Sequence, residues 1–144
     1  MSILRDERLV ALHDLVEVCR NASRHHLLAS ELMVDDPRAD DLRALAEQRG
    51  REAEFFADRM IAEDDIPAGP PNERSLLELA LARAKGAFTD AAWESLVEDC
   101  RHQEEAVVAQ TEEAEKAPLR EDEHKAAKAL AEDARRRLET LFRT

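Results

Sequence analysis

A chain of 144 residues, 44% hydrophobic but only 3% aromatic, has the size of one domain whose core is built mostly of Leu, Ala, Val and Met, with no call for disulfide staples. Thirty-three acidic against 21 basic residues give a formal charge of −12, which argues against a nucleic-acid partner because phosphate binding draws on clustered Lys and Arg. The opening residues meet acid too early for a secretory apolar core, and no run approaches the roughly 18 apolar residues of a membrane span, so a cytoplasmic location with no membrane contact is expected.

In chain order, the spacing predicts a first helix over 6–34. Leu9, Leu12, Val16, Cys19, Ser23, His26, Leu27 and Ser30 return to one face at three- and four-residue steps. Asp35-Asp36-Pro37 reads as a stop and restart, with Asp36 capping the next helix and Pro37 near its first turn. A second helix is expected over 38–63, with Leu42, Leu45, Ala46, Ala53, Phe56 and Met60 inward; Gly50 reads as an exposed weak point. Ile66-Pro67-Ala68-Gly69-Pro70-Pro71 ends that pattern, and a short fifth helix is expected over 73–87 inside a long crossover.

The third major helix, over 90–116, carries Trp93, Leu96, Val97, Cys100, Glu104, Val107, Val108, Thr111 and Ala114 on its stripe. Ala117-Pro118 restarts the chain, and a fourth over 119–142 turns Leu119, Ala126, Ala127, Leu130, Ala134, Leu138 and Leu141 inward. Arg135-Arg136-Arg137 lies near its C-terminus, where cations complement the helix dipole.

The halves repeat. Leu15-Val16-Glu17-Val18-Cys19-Arg20 recurs as Leu96-Val97-Glu98-Asp99-Cys100-Arg101, and the same 81-residue offset carries Pro37 onto Pro118. Two short turns and one long crossover predict an all-α, ferritin-like four-helix bundle made of two antiparallel hairpins, filling residues 1–144 as one domain. Cys19 and Cys100, at matching positions on apolar faces, read as buried reduced thiols.

Leu12-His13-Asp14-Leu15-Val16-Glu17-Val18-Cys19, Leu42-Arg43-Ala44-Leu45-Ala46-Glu47-Gln48-Arg49 with Phe55-Phe56, Lys85-Gly86-Ala87-Phe88-Thr89 and Leu96-Val97-Glu98-Asp99-Cys100 follow one another in an order that resembles small bacterial ferritin-like domains grouped as a family of unknown function. The resemblance implies a ferritin-like bundle of unassigned activity, ancestrally related to carboxylate-bridged di-metal proteins.

A di-metal site in such a bundle takes one inward Glu from each of two helices and a Glu-x-x-His pair from each of the others. Glu121 and His124 supply one such spacing, within a turn of the fourth helix's start, but the equivalent positions in the second helix are Asp40 and Arg43. The full ligand set is missing. Glu121 also suits an ordinary first-turn acid, and His25-His26 point about 100° apart on their helix. The metal candidates are therefore His26, Glu104, Glu121 and His124, with iron or manganese as the metal and no cofactor otherwise indicated.

Glu104 interrupts an apolar stripe, and a buried carboxylate must be paired, protonated or bound to a cation. Three readings stay open: an internal polar layer of Ser23, His26, Glu104 and Thr111, a metal or small-ligand site, and plain exposure. Ser23, His26 and Glu104 do not make a hydrolase, lacking a strand-to-helix elbow and an oxyanion hole, and no catalytic residue is assigned. The leading functional expectation is a non-catalytic structural or protein-interaction bundle that pairs with another copy or a protein partner. The alternatives are a degenerate di-metal protein with oxidoreductase or storage activity, and a small-molecule sensor.

Overall fold

The computed structural model describes residues 6–33, 35–62 and 90–143, and these form an all-α four-helix bundle. Its helices are α1 (Glu7–Leu32), α2 (Ala39–Ala62), α3 (Asp90–Ala114) and α4 (Glu121–Thr140). The short helix expected over 73–87, and most of the crossover, lie outside the described residues. α1 packs on α2 and on α3, and α3 packs on α4.

The helix ends follow from local chemistry. Asp6 caps α1 by accepting the Arg8 amide at 2.9 Å, and Glu7 adds an acid to the first turn. Asp36 does the expected capping before α2: its Oδ1 takes the Arg38 amide at 2.9 Å, while the Arg38 guanidinium folds back onto both carboxylate oxygens. The helix proper begins two residues after Pro37, with the Ala39 amide donating to the Asp36 carbonyl at 3.0 Å. At α4, the Glu123 carboxylate reaches back to the Arg120 amide at 2.9 Å, the reciprocal half of a capping box.

Two apolar clusters fill the interior. One gathers Leu12, Leu15, Val16, Cys19, Phe56, Met60, Val107, Ala127 and Leu130, among others; the second holds Ala29, Met33, Leu42, Leu45, Leu96, Cys100 and Phe142. On α1, α2 and α3 one buried charged or polar residue falls between the two: His26, Arg49 and Glu104. Both cysteines are buried, one in each cluster, and the Cys100 thiol donates to the His25 carbonyl at 3.8 Å. Burial, followed by the charge of Glu52, pushes the Cys19 thiol far up, so it packs as a small neutral group.

Two expectations about burial need correction, those for Leu27 and Gly50. Leu27 is 41% exposed because the face between His26 and Ser30 already meets α3, which leaves Leu27 turned to water. Leu141 is half-buried and packs against the second cluster as expected, while the fully buried Phe142, next along the chain, closes the far end of that cluster. Gly50 is half-buried rather than exposed: a Cβ there would stand 3.4 Å from Ser23 Oγ, in ordinary contact where α1 and α2 meet.

That contact leaves room for a methyl group. Gly50→Ala is expected to raise the unfolding free energy by about 0.5–1 kcal/mol through helix propensity, measured by urea denaturation; a loss would show that Ser23 cannot give way.

Candidate functional site: a buried ionic layer

Arg49 stands on the inward stripe of α2, between Ala46 and Ala53, and its side chain is fully buried. Nη2 donates to Glu104 Oε1 at 2.5 Å and to Asp133 Oδ2 at 2.9 Å, Nε to Glu104 Oε2 at 3.1 Å, and Nη1 to Glu52 Oε1 at 2.6 Å. Glu104, also fully buried, takes a further hydrogen bond at 2.9 Å between Oε2 and His26 Nε2. One guanidinium therefore meets three carboxylates, and one of these carries an imidazole as well.

Burial alone would push the Glu104 carboxyl up, but hydrogen bonds from His26 and Arg49, with the Arg49 charge, more than offset it and hold the group below its ordinary value. The carboxylate is thus ionised and accepts, which makes His26 Nε2 the donor. His26 Nδ1 is buried with no hydrogen-bond partner among the described residues, and the ring stacks on Phe142 with centroids 5.8 Å apart. Asp133 is likewise depressed, its burial outweighed by Arg49, whereas burial raises Glu52 despite Arg49. For Arg49, burial works against the charge, yet the hydrogen bonds and charges of Glu104 and Glu52 raise its pKa further.

The layer opens toward solvent between α2 and α4. Asp133 and Glu52 side chains are 11% and 23% exposed, and Gln48 donates to Asp133 Oδ2 at 2.9 Å. Arg137, in the last turn of α4, lies 3.7 Å from the same oxygen and donates to Gln48 Oε1 at 3.3 Å. Along this seam Arg59 pairs with Asp122, so α2 and α4 run in opposite directions.

The pairing of His26 with Glu104 is the one foreseen; the remaining membership differs. Thr111 is buried but donates to its own helix, to the Val108 carbonyl at 2.8 Å, and Ser23 donates to the Ala46 carbonyl at 2.7 Å. A hydroxyl on a helix reaches a nearby carbonyl more cheaply than a distant carboxylate that already has stronger donors. Glu121 is exposed beside Lys125, and with His124 it borders an open depression that also takes in Glu115 and Lys128, on the outside of the bundle. The buried acid of that turn is Glu123, held by Arg8 through two hydrogen bonds at 2.8 and 2.5 Å. Burial opposes ionisation of Glu123; Arg8 and the Arg120 amide outweigh it and lower its pKa.

Arg8, Arg49 and Glu123 were not singled out in the sequence. The signal was present, because each sits on its helix's apolar stripe: Arg49 continues Leu42, Leu45 and Ala46, and Glu123 falls between Leu119 and Ala127. Among the described residues, one group of three metal-ligand types lies close enough to share an ion: His13, Asp14 and Glu17, on the outer side of α1. No family model, curated protein or solved structure matches the chain.

Removing both sides of the buried pair should cost less than the sum of breaking each side alone. Glu104→Leu and Arg49→Leu are each expected to destabilise by about 3–5 kcal/mol, and the double variant to fall short of their sum by about 1–3 kcal/mol in urea unfolding. Strict additivity would mean that the pair is not coupled.

Acid should act on the same groups. Glu104, Glu123 and Asp133 have folded pKa values below their ordinary 4.5, 4.5 and 3.8, so their stabilisation is complete above those values and lost as pH falls through the depressed ones; Glu52, shifted upward, offsets part of the loss. Melting temperature is expected to fall on acidification below pH 4.5, and less steeply in Glu104→Gln.

Proposed function

We propose that this chain is a non-catalytic helical bundle that serves as a structural or protein-interaction module, with a ferritin-like arrangement of two antiparallel hairpins. What carries the reading is the saturation of Glu104: both oxygens of the most deeply placed acid are taken by Arg49 and His26, so the polar heart of the bundle is committed to holding helices together. In favour of the topology, α1 runs alongside α4 in the same direction, from Arg8–Glu123 at one end to His26–Phe142 at the other, while α2 opposes α4. Hairpins joined by a long crossover produce those directions.

The surface fits a cytoplasmic interaction module. No described helix is long and apolar enough to cross a membrane, and the basic run is already engaged: Arg135 with Glu112, Arg136 with Asp133, Arg137 with Gln48. A charge of −12 opposes close association of two copies, which favours a different protein as partner over a homo-oligomer.

A second reading, a metal-binding relative of di-metal bundles, draws on His13, Asp14 and Glu17. His13 Nδ1 lies 3.7 Å from Asp14 Oδ1, and Nε2 lies 3.8 Å from Glu17 Oε1, on a face open to water. Exposed acids lose little by staying unbound, so this cluster ranks below the structural role.

Anaerobic titration with Fe²⁺ or Mn²⁺, followed by melting temperature and metal content after desalting, separates the two. The structural reading expects no retained metal and no shift. Stoichiometric metal lost in Glu17→Gln would establish the surface cluster; metal lost in Glu104→Gln would overturn the structural reading of the core.

A further inference from the structure

The His26 ring is satisfied on one side only. Nε2 is bonded to Glu104 Oε2 at 2.9 Å, while Nδ1 is buried with no hydrogen-bond partner among the described residues. Phe142 covers the ring, stacked at a centroid distance of 5.8 Å and an interplanar angle of 23°. Phe142 is not held in a helix: Leu141 and Phe142 follow α4 in a turn, and their amides both donate to the Arg137 carbonyl, at 2.9 and 3.0 Å. Phe142 also lines an open surface cavity of about 510 Å³, together with Arg101, Glu105, Leu138, Glu139 and Arg143. The ring therefore has unfilled space to turn into without displacing a helix.

We propose that Phe142 is an acid-released latch: a proton taken up at His26 Nδ1 breaks the stack, and the turn at 141–143 leaves the core while the four helices stay docked.

With His26 neutral, Nε2 carries the hydrogen and Nδ1 is a bare acceptor. Protonation makes Nδ1 a second donor on a ring that is now charged, and a buried charged donor with no acceptor is among the costliest groups a core can hold. The charged groups around the ring do not supply that acceptor. Glu104 on α3 favours the imidazolium charge but is engaged at Nε2; Arg49 on α2, bound to the same carboxylate, opposes the charge. Asp133 on α4 and Glu52 on α2 are drawn to Arg49, at 2.9 and 2.6 Å. Release of Phe142 meets the need directly, because water then reaches Nδ1 while Nε2 keeps Glu104. The aromatic face of Phe142 attracts a cation, which works against release, yet it offers no acceptor in the plane of the imidazole, where the new N–H points. Glu104 and Asp133 are held below their ordinary values by their partners, so the helices remain braced in the range, roughly pH 5 to 8, in which histidines change charge.

The test is amide hydrogen exchange of the whole chain followed by NMR between about pH 7.5 and 5.5, corrected for the intrinsic pH dependence of exchange. The expected result is a fall of roughly tenfold or more in protection of the Leu141 and Phe142 amides, with a midpoint matching the titration of the His26 ring, and unchanged protection at Leu12 and Leu130 in the larger apolar cluster. His26→Gln keeps a donor for Glu104 but takes no proton, so its protection at Leu141 and Phe142 should be the same at both ends of the range. His102→Gln, which removes an exposed histidine beside Glu98 and Glu105, should respond as the wild type does. If His26→Gln does not fold, the wild-type midpoints decide: coincidence with the His26 titration supports the latch, and a mismatch overturns it. Protection that stays constant or rises on acidification, as it does if the attraction of Phe142 for the imidazolium dominates, overturns the proposal. A response that persists in His26→Gln overturns it too. So does a loss shared by Leu12 and Leu130, which would mean that the bundle unfolds as one unit and has no separate latch.

Discussion

The contact between Arg49 and Glu104 sets the terms for the rest of the bundle. Neither group tolerates burial alone, because an uncompensated charge in a core costs several kcal/mol, on the order of 3–5 when a partner is removed. Each therefore needs the other at hydrogen-bonding distance, and that demand fixes the height of α2 against α3. His26 extends the requirement to α1, and Asp133 to α4. Ala-rich apolar faces give weak preferences for one register over a neighbouring one, since sliding by a turn of about 5.4 Å exchanges one small apolar contact for another. The ionic layer removes that freedom: a slip by one turn would leave the guanidinium without its carboxylate. The geometry thus argues for a role in specifying one arrangement, in addition to any net stabilisation.

A second pair works the same way near the start of α1. Arg8 and Glu123 stand about five helical turns from His26 along α1, and Glu123 also closes the first turn of α4 by taking the Arg120 amide. Two charged contacts well apart on one helix define its direction and height relative to α4 better than either alone. Between them lies the larger apolar cluster, and beyond the ionic layer lies the smaller one, closed by Phe142 against His26.

Water access separates the chemistry of the acids. His13, Asp14 and Glu17 face solvent, where a ligand can enter or leave with little rearrangement. Glu104 has exchanged water for two fixed donors, and its ionisation is maintained by them against the effect of burial. Such a group is poorly placed to exchange ligands while Arg49 remains. The same side-chain type thus stands open to water in one setting and serves as a structural brace in the other, and only the surroundings distinguish them.

The four helices, their inward stripes and the Asp36 cap were legible from residue order because helical period and capping are local properties, settled within a few residues of chain. The burial of Glu104 and its meeting with His26 were also legible, since a carboxylate on an apolar stripe requires a partner and the repeat placed His26 one turn from the Glu104-equivalent Ser23. Arg49 was hidden by its type. A long cation on a stripe reads as one that reaches out to water, and nothing in α2 alone announces a carboxylate waiting on α3. Ser23 and Thr111 were drawn into the layer for the complementary reason: periodicity reports which face a residue occupies, but a hydroxyl's choice between its own helix and a neighbour depends on distances that only packing sets. Sequence by itself determined the helices and the faces they bury; the tertiary structure decided which charges stand at the same height, because side chains 55 and 78 positions apart meet only after the helices have docked.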